Sequence, residues 1–224
     1  MREFFRQVLN ILWKDLISEW HTKDFVTPVL VFALLVIIIF NFAFQPDGES
    51  IGLVAPGVLW VAFTFAGVLG LNRSFAREKE RGCLDGLMLG PVSREAIYLG
   101  KVLGSFMFMF LVELISMPIF SIFLNLPLLM PRLVLVAFLA TIGFVAVGTL
   151  FAAMAVHTRA REVMLPILFF PIVVPLLIAA VESTSLVMAG ASWQSMASWL
   201  QMIIAFDIIF LVVSALSFEF VLEQ

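Results

Sequence analysis

The chain has 224 residues, of which 62% are hydrophobic and 13% charged, and its mean hydropathy is +1.12. A soluble globular domain is about half apolar and about a quarter charged, so the composition indicates an integral membrane protein instead. The net charge of −3 is too small to suggest a nucleic-acid partner, and the single Cys83 excludes a disulfide framework.

The first predicted element is an amphipathic helix at residues 4–20. Its apolar residues recur at helical spacing and form one broad face, with polar side chains opposite. Such a helix lies in the interface between lipid and water, and Trp13 and Trp20 favour this placement. A soluble docking helix is the alternative. We assign residues 1–24 to this interfacial segment.

Six further segments are long enough to span a membrane, since a helix needs about 20 apolar residues to cross the hydrocarbon. The third contains one acid, whose cost is offset by many Leu, Ile, Val and Phe residues. The fifth contains three prolines at near-helical spacing, so we expect it to be kinked or broken. The predicted spans are Phe25–Phe44, Gly52–Leu71, Val102–Leu124, Leu133–Val156, Val163–Val181 and Ser198–Phe218.

The distribution of basic residues predicts the orientation. Of the thirteen Lys and Arg residues, twelve lie in the N-terminal arm or in the connections after the second and fourth spans, and Arg132 is the exception. Because cytoplasmic segments are enriched in Lys and Arg, we expect both termini to be cytoplasmic. The predicted fold class is therefore an all-α membrane protein with six transmembrane helices, as a single permease domain over residues 1–224.

The longest polar connection, residues 73–101, is the segment most suited to contact a soluble partner. It holds six of the thirteen basic residues. Within it, Leu84, Leu87 and Met88 recur at the spacing of a short amphipathic helix around Cys83–Leu89. An apolar face flanked by charges fits a groove on a partner, whereas a helix resting on the lipid surface is the alternative.

Both ends of this short helix carry recognisable signals. Gly82 is a predicted break after the charged run that precedes it. Ser93 is a predicted N-cap for the following helix, with Glu95 in the first turn.

Two acids, Glu113 and Asp207, lie deep in the third and sixth spans. An ionised acid at this depth is costly, so each must face the protein interior, find a donor or be protonated. Candidate donors are Ser116, Asn41 and Thr141. We expect an interhelical hydrogen bond for Glu113. For Asp207 we expect a polar switch.

The run EKERGCLDGLMLGPVSREAIYLGK, residues 78–101, resembles the cytoplasmic loop of ABC-2-type transporter permeases. Their usual pattern is a charged stretch followed by Gly, Leu, an acid, Leu, Pro-Val-Ser/Asp-Arg and Gly-Lys. More narrowly, the chain is similar to the haem exporter B family (CcmB) of the bacterial cytochrome c maturation system. Supporting segments lie at residues 34–44, 55–87, 158–180 and 205–223.

The resemblance implies an inner-membrane permease that couples to ATP hydrolysis on a separate cytoplasmic ABC ATPase subunit (CcmA-like). It also implies a haem-handling membrane subunit (CcmC-like), a small single-span subunit (CcmD-like) and, indirectly, a periplasmic haem chaperone (CcmE-like). Haem would be the transported or handled ligand. The absence of a GxxxxGK[ST] motif agrees with an ATPase supplied by another chain. The residues expected to couple to that ATPase are Glu78, Glu80, Arg81, Leu84, Asp85, Leu87 and Met88.

The outer segment Glu182–Ala197 is nearly uncharged and contains Trp193, with Trp199 shortly after it. Both tryptophans fit interfacial anchors. The alternative is contact with a periplasmic partner or haem.

Three functions remain open from the sequence: an energy-coupling permease of the haem system, an ABC-2-type permease for another substrate, and a non-transporting scaffold. No catalytic, cofactor-binding or metal-binding residue is predicted in the chain itself.

Overall fold

The computed structural model describes residues 2–44, 49–80, 82, 86, 92–126, 130–156 and 161–222. The helices in these residues are α1 (Arg2–Thr22), α2 (Val26–Phe44), α3 (Glu49–Glu80), α4 (Arg94–Leu124), α5 (Pro131–Val156), α6 (Arg161–Met188) and α7 (Trp193–Leu222). Helices α2 to α7 are long and apolar enough to cross a membrane, which confirms the prediction of a helical chain with six candidate spans.

Helix α5 forms the centre of the bundle. It packs against α3, α4, α6 and α7, and 72% of its spanning segment is buried. By contrast, only 17% of the α2 span and 22% of the α7 span are buried, and both present rows of exposed Ile, Leu, Val and Phe side chains. Such apolar exposure fits helices whose outer faces contact lipid.

The helices on either side of the long polar connection extend further than hydropathy predicted. Helix α3 continues past the second predicted span to Glu80, and α4 begins at Arg94, ahead of the third. The polar connection between the two helices is therefore shorter than the predicted residues 73–101. Arg, Glu and Lys are good helix formers, so α3 continues as a charged helix where the apolar residues end. Gly82 follows with φ +65°, which confirms the predicted break.

The start of α4 follows the predicted capping pattern. Ser93 has an extended backbone, and its Oγ accepts a hydrogen bond from the Ala96 N–H at 3.4 Å. Glu95 lies in the first turn, where its negative charge interacts favourably with the positive end of the helix dipole.

The fifth span was expected to be kinked or broken; the break is wrong, and the kink stays a prediction. The segment is helical throughout as α6, with all three prolines inside the helix. Each proline removes one backbone hydrogen bond, but a neighbouring bundle compensates for this loss in lipid. Leu165, Phe169 and Leu176 of α6 are completely buried against that bundle.

The outer segment Glu182–Ala197 is mostly helical. Helix α6 continues into it, and α7 begins at Trp193. Gly190 adopts φ +68°, and the Ala191 N–H donates to the Leu186 carbonyl at 2.9 Å. This pattern is a Schellman motif, which reverses the chain in a few residues. Sequence reasoning missed it because the apolar residues before Gly190 were assigned to a loop.

The predicted N-terminal helix is present as α1, and it is fixed to the bundle along one side. Val8 and Ile11 are buried, and Gly100 of α4 leaves the space into which Ile11 packs. The opposite side carries an exposed apolar row, called here the outer stripe of α1, made of Phe5, Leu9, Trp13, Ile17 and Trp20.

Candidate functional site

Four charged residues meet where α1, α3 and α4 come together, at the base of the connection between α3 and α4. We call them the basal cluster: Lys14 and Asp15 of α1, Glu78 of α3 and Lys101 of α4. Lys101 Nζ lies 2.9 Å from Asp15 Oδ2 and also contacts Glu78 Oε1. Lys14 Nζ lies 2.7 Å from Glu78 Oε1 and 3.1 Å from Asp15 Oδ1.

The basal cluster is largely shielded from solvent. Only 2% of the Lys101 side chain and 14% of the Glu78 side chain are exposed, whereas Lys14 reaches the surface. Burial raises the pKa of Glu78, but attraction to Lys101 and Lys14 outweighs burial and holds this pKa below its ordinary value. Burial lowers the pKa of Lys14, but attraction to Glu78 and Asp15 raises it above its ordinary value. Glu78 and Lys14 are therefore both charged near neutral pH.

Glu78 was predicted to contact an ATPase, and its carboxylate points into the basal cluster. One oxygen binds the two lysines, and Oε2 is buried without a hydrogen-bond partner among the described residues. A cavity of about 50 Å³ adjoins the cluster and is lined in part by Glu78, Asp15 and Ser105. A cavity of this size holds water, so the free oxygen has space for hydration.

The other predicted coupling residues cannot be placed in the same way. The side chains of Glu80, Arg81, Leu84, Asp85, Leu87 and Met88 lie outside the described residues. Within this segment, the Gly86 N–H donates to the Gly82 carbonyl at 3.0 Å. The docking role of these residues stays a prediction.

The two intramembrane acids lie on opposite flanks of α5. Glu113 is 1% exposed, and its Oε2 lies 2.7 Å from the Thr141 hydroxyl oxygen. Thr141 was one of the three predicted partners, so the interhelical contact expected for Glu113 is confirmed. Of the other two, Asn41 donates to the Phe123 carbonyl, and the Ser116 hydroxyl has no partner among the described residues.

Asp207 packs against the backbone of α5 at Gly143. A Cβ added to Gly143 would collide with Asp207 Oδ1 and with the Phe206 ring. A larger residue at this crossing of α5 and α7 would therefore force these side chains to shift. Asp207 is 5% exposed, and its Oδ1 has no hydrogen-bond partner among the described residues. The switch predicted for Asp207 is not tested by this geometry.

At the opposite end of the bundle from the basal cluster, Trp193 and Trp199 have different surroundings. Trp193 begins α7 and is 48% exposed, and the Arg132 guanidinium lies 4.8 Å from its ring centroid. Arg132 also donates to the Ala191 carbonyl at 2.9 Å, so it holds the turn between α6 and α7. Trp199 is partly buried against the core. Sequence reasoning missed Arg132, whose only signal was its place away from the other basic residues.

Comparison with known proteins gives consistent matches over most of the chain. The family model described as CcmB protein matches residues 6–224. The chain is 33% identical to Heme exporter protein B of Rhodobacter capsulatus over 156 residues, which cover 68% of this chain and 71% of that protein. The protein of the same name from Paracoccus denitrificans is 34% identical, covering 72% and 75% of the two chains. That from Haemophilus influenzae is 32% identical, covering 77% and 78%. This chain therefore belongs to the CcmB family.

Proposed function

We propose that this chain is the membrane subunit of an ABC-type complex for cytochrome c maturation. In this function, ATP hydrolysis by a separate subunit drives haem export or releases the haem-loaded periplasmic chaperone. The observation that carries the proposal is the family match over residues 6–224, together with relatives whose name is haem exporter. The six apolar helices provide the multi-pass membrane subunit that such a complex needs.

We place both termini and the connection between α3 and α4 in the cytoplasm, and the spans in the bacterial inner membrane. The concentration of twelve of the thirteen basic residues on one side supports this orientation. Arg132 is compatible with it because its guanidinium is held by the Ala191 carbonyl and the Trp193 ring. The outer stripe of α1 then lies at the cytoplasmic surface of the membrane.

Cysteine labelling in intact cells tests the orientation. A cysteine at exposed Ser192 should react with a membrane-impermeant maleimide, whereas native Cys83 should react only after the cells are opened. Labelling of Cys83 in intact cells would reverse the assignment.

The connection between α3 and α4 is the proposed docking site for the ATPase. Arg81 and Asp85 would supply charged contacts, and Leu84, Leu87 and Met88 would supply apolar ones. The basal cluster supports a coupling role, because Glu78 near the end of α3 is bound to Lys101 of α4. A displacement of the docked connection would therefore reach α3, α4 and α1 together.

Leu87→Asp tests the docking site. We expect this variant to insert normally but to lose association with the ATPase, because a few central apolar residues dominate most interfaces. Gly86→Ala is the matched control, since an added Cβ there meets no atom within 4 Å. Recovery of the ATPase at the normal ratio with Leu87→Asp would show that docking occurs elsewhere.

Deletion of the gene tests the function itself. We expect haem staining to show loss of c-type cytochromes, with recovery when the gene is restored. An ABC-2-type permease for another substrate would leave the cytochromes intact. A non-transporting scaffold would maintain them when the partner ATPase binds but cannot hydrolyse ATP. Loss of cytochromes with the inactive ATPase would favour the coupled subunit.

A further inference from the structure

The contact between Glu113 of α4 and Thr141 of α5 contains too few hydrogens for an ionised acid. The Thr141 hydroxyl oxygen lies 2.7 Å from Glu113 Oε2 and 2.7 Å from the Ala137 carbonyl oxygen. A carbonyl oxygen and a carboxylate oxygen only accept hydrogen bonds, and a threonine hydroxyl has one hydrogen to donate. With an ionised Glu113, one of these two contacts would join two acceptors without a hydrogen between them.

A proton on Glu113 gives every contact its hydrogen. The acid then donates from Oε2 to Thr141 Oγ1, and Thr141 donates in turn to the Ala137 carbonyl. Both distances of 2.7 Å are ordinary for O–H···O hydrogen bonds. Glu113 Oε1 is buried without a partner among the described residues, and burial of such an oxygen is less costly on a neutral acid than on a carboxylate.

The charged groups on the surrounding helices do not offer Glu113 a counter-ion. Lys101 is twelve residues earlier in α4, about 18 Å along the axis, and is bound within the basal cluster. The other cation of this cluster, Lys14 of α1, binds Asp15 and Glu78 beside Lys101, so it is also distant from Glu113. Helix α2 has no charged residue, and Arg132 of α5 is nine residues before Thr141, about 14 Å away. Helix α7 has no Lys or Arg, and its buried acid Asp207 lies on the opposite flank of α5.

We propose that Glu113 is a proton-binding site inside the spanning bundle, occupied in this conformation, and that the bound proton joins α4 to α5. The site is separate from the basal cluster and from the docking connection, and the inference holds whatever the chain transports. Loss of the proton would leave two acceptors competing for the Thr141 hydrogen. A deprotonated state therefore requires a rearrangement that brings water or another donor to Glu113.

Infrared difference spectroscopy of the purified protein in lipid at neutral pH tests the proposal directly. Compared with the native chain, Glu113→Gln should lose one C=O stretching band of a protonated carboxylic acid, and this band should shift on exchange into D₂O. Glu3→Gln is the matched control because Glu3 is exposed on α1, and it should lose only carboxylate bands. Loss of carboxylate bands alone in Glu113→Gln would overturn the proposal.

Thr141→Val provides a second test that keeps Glu113 in place. Removal of the hydroxyl should leave the acid band but move it to the higher frequency of a less strongly bonded carboxyl group. Thr141→Ser keeps the hydroxyl and should keep the native band. An unchanged acid band in Thr141→Val, or no acid band in the native protein, would also refute the assignment. These spectra therefore decide the question even if Glu113→Gln folds poorly.

Discussion

Lys101→Met should lower the free energy of unfolding by about 3 kcal/mol, the low end of the range for breaking a buried ion pair. The Lys101 side chain is 2% exposed, and its ammonium contacts the carboxylates of both Asp15 and Glu78. Methionine fills a similar volume, but it leaves two shielded carboxylates to share one cation. We expect the low end of the range because Lys14 remains 2.7 Å from Glu78 and still compensates part of its charge.

The same substitution should change the response to acid. The pKa of Glu78 is held below its ordinary value of 4.5, so its contribution to stability is present above that value. This contribution is lost as the pH falls through the lower pKa of the folded state. Without Lys101, burial of Glu78 is opposed only by Lys14, so the pKa should rise. Acid destabilisation of Lys101→Met should therefore begin at higher pH than in the native protein.

A double-mutant cycle measured by denaturant titration in mixed micelles tests the size of this effect. Glu78→Gln in the Lys101→Met background removes one of the two shielded carboxylates that share Lys14, so the double variant should be more stable than Lys101→Met alone. A loss below about 1 kcal/mol for Lys101→Met would match an exposed ion pair and refute the reasoning. A further loss on adding Glu78→Gln would refute it as well.

Three further substitutions address other parts of the bundle. Gly143→Ala should destabilise the protein by about 1–3 kcal/mol in thermal unfolding, because its Cβ collides with Asp207. Gly57→Ala, with no atom within 4 Å of the added Cβ, should not be destabilising. Asp207→Asn should still assemble with the ATPase but lose cytochrome maturation if the acid is a switch, and full activity would contradict that role. Trp193→Ala should cost about 0.5–1 kcal/mol through the lost cation–π contact with Arg132 and retain normal cytochrome yield. Reduced yield at normal abundance would instead favour a partner contact.

Hydropathy located every span, but it could not locate the helix ends. Mean hydropathy identifies only the apolar residues that contact lipid. Helix α3 continues beyond these residues as a charged helix that ends at Glu80. The ends depend on single residues with special backbone geometry. Gly82 and Gly190 both adopt positive φ, and only the first was predicted as a break.

The polar contacts were predictable only where chemistry restricted the choice. A buried acid requires a hydrogen-bond partner, so Thr141 could be named as one of three candidates for Glu113. The basal cluster was not anticipated because Lys101 had been placed in the polar connection at residues 73–101 and Glu78 had been assigned to contact with a partner. Their pairing depends on the rotation of three helices about their axes, which the sequence pattern leaves open.

The attachment of α1 affects how truncations of this protein should be interpreted. Deleting α1 would remove Asp15 from buried Lys101 and uncover the surface at Gly100 where Ile11 packs. The defects of a shortened chain would therefore combine the loss of packing against α3 and α4 with any loss of membrane attachment. Replacement of Trp13 and Trp20 with serine separates the two effects, because both side chains lie in the exposed outer stripe. The N-terminal helix is thus an internal support of the bundle as much as a contact with its surroundings.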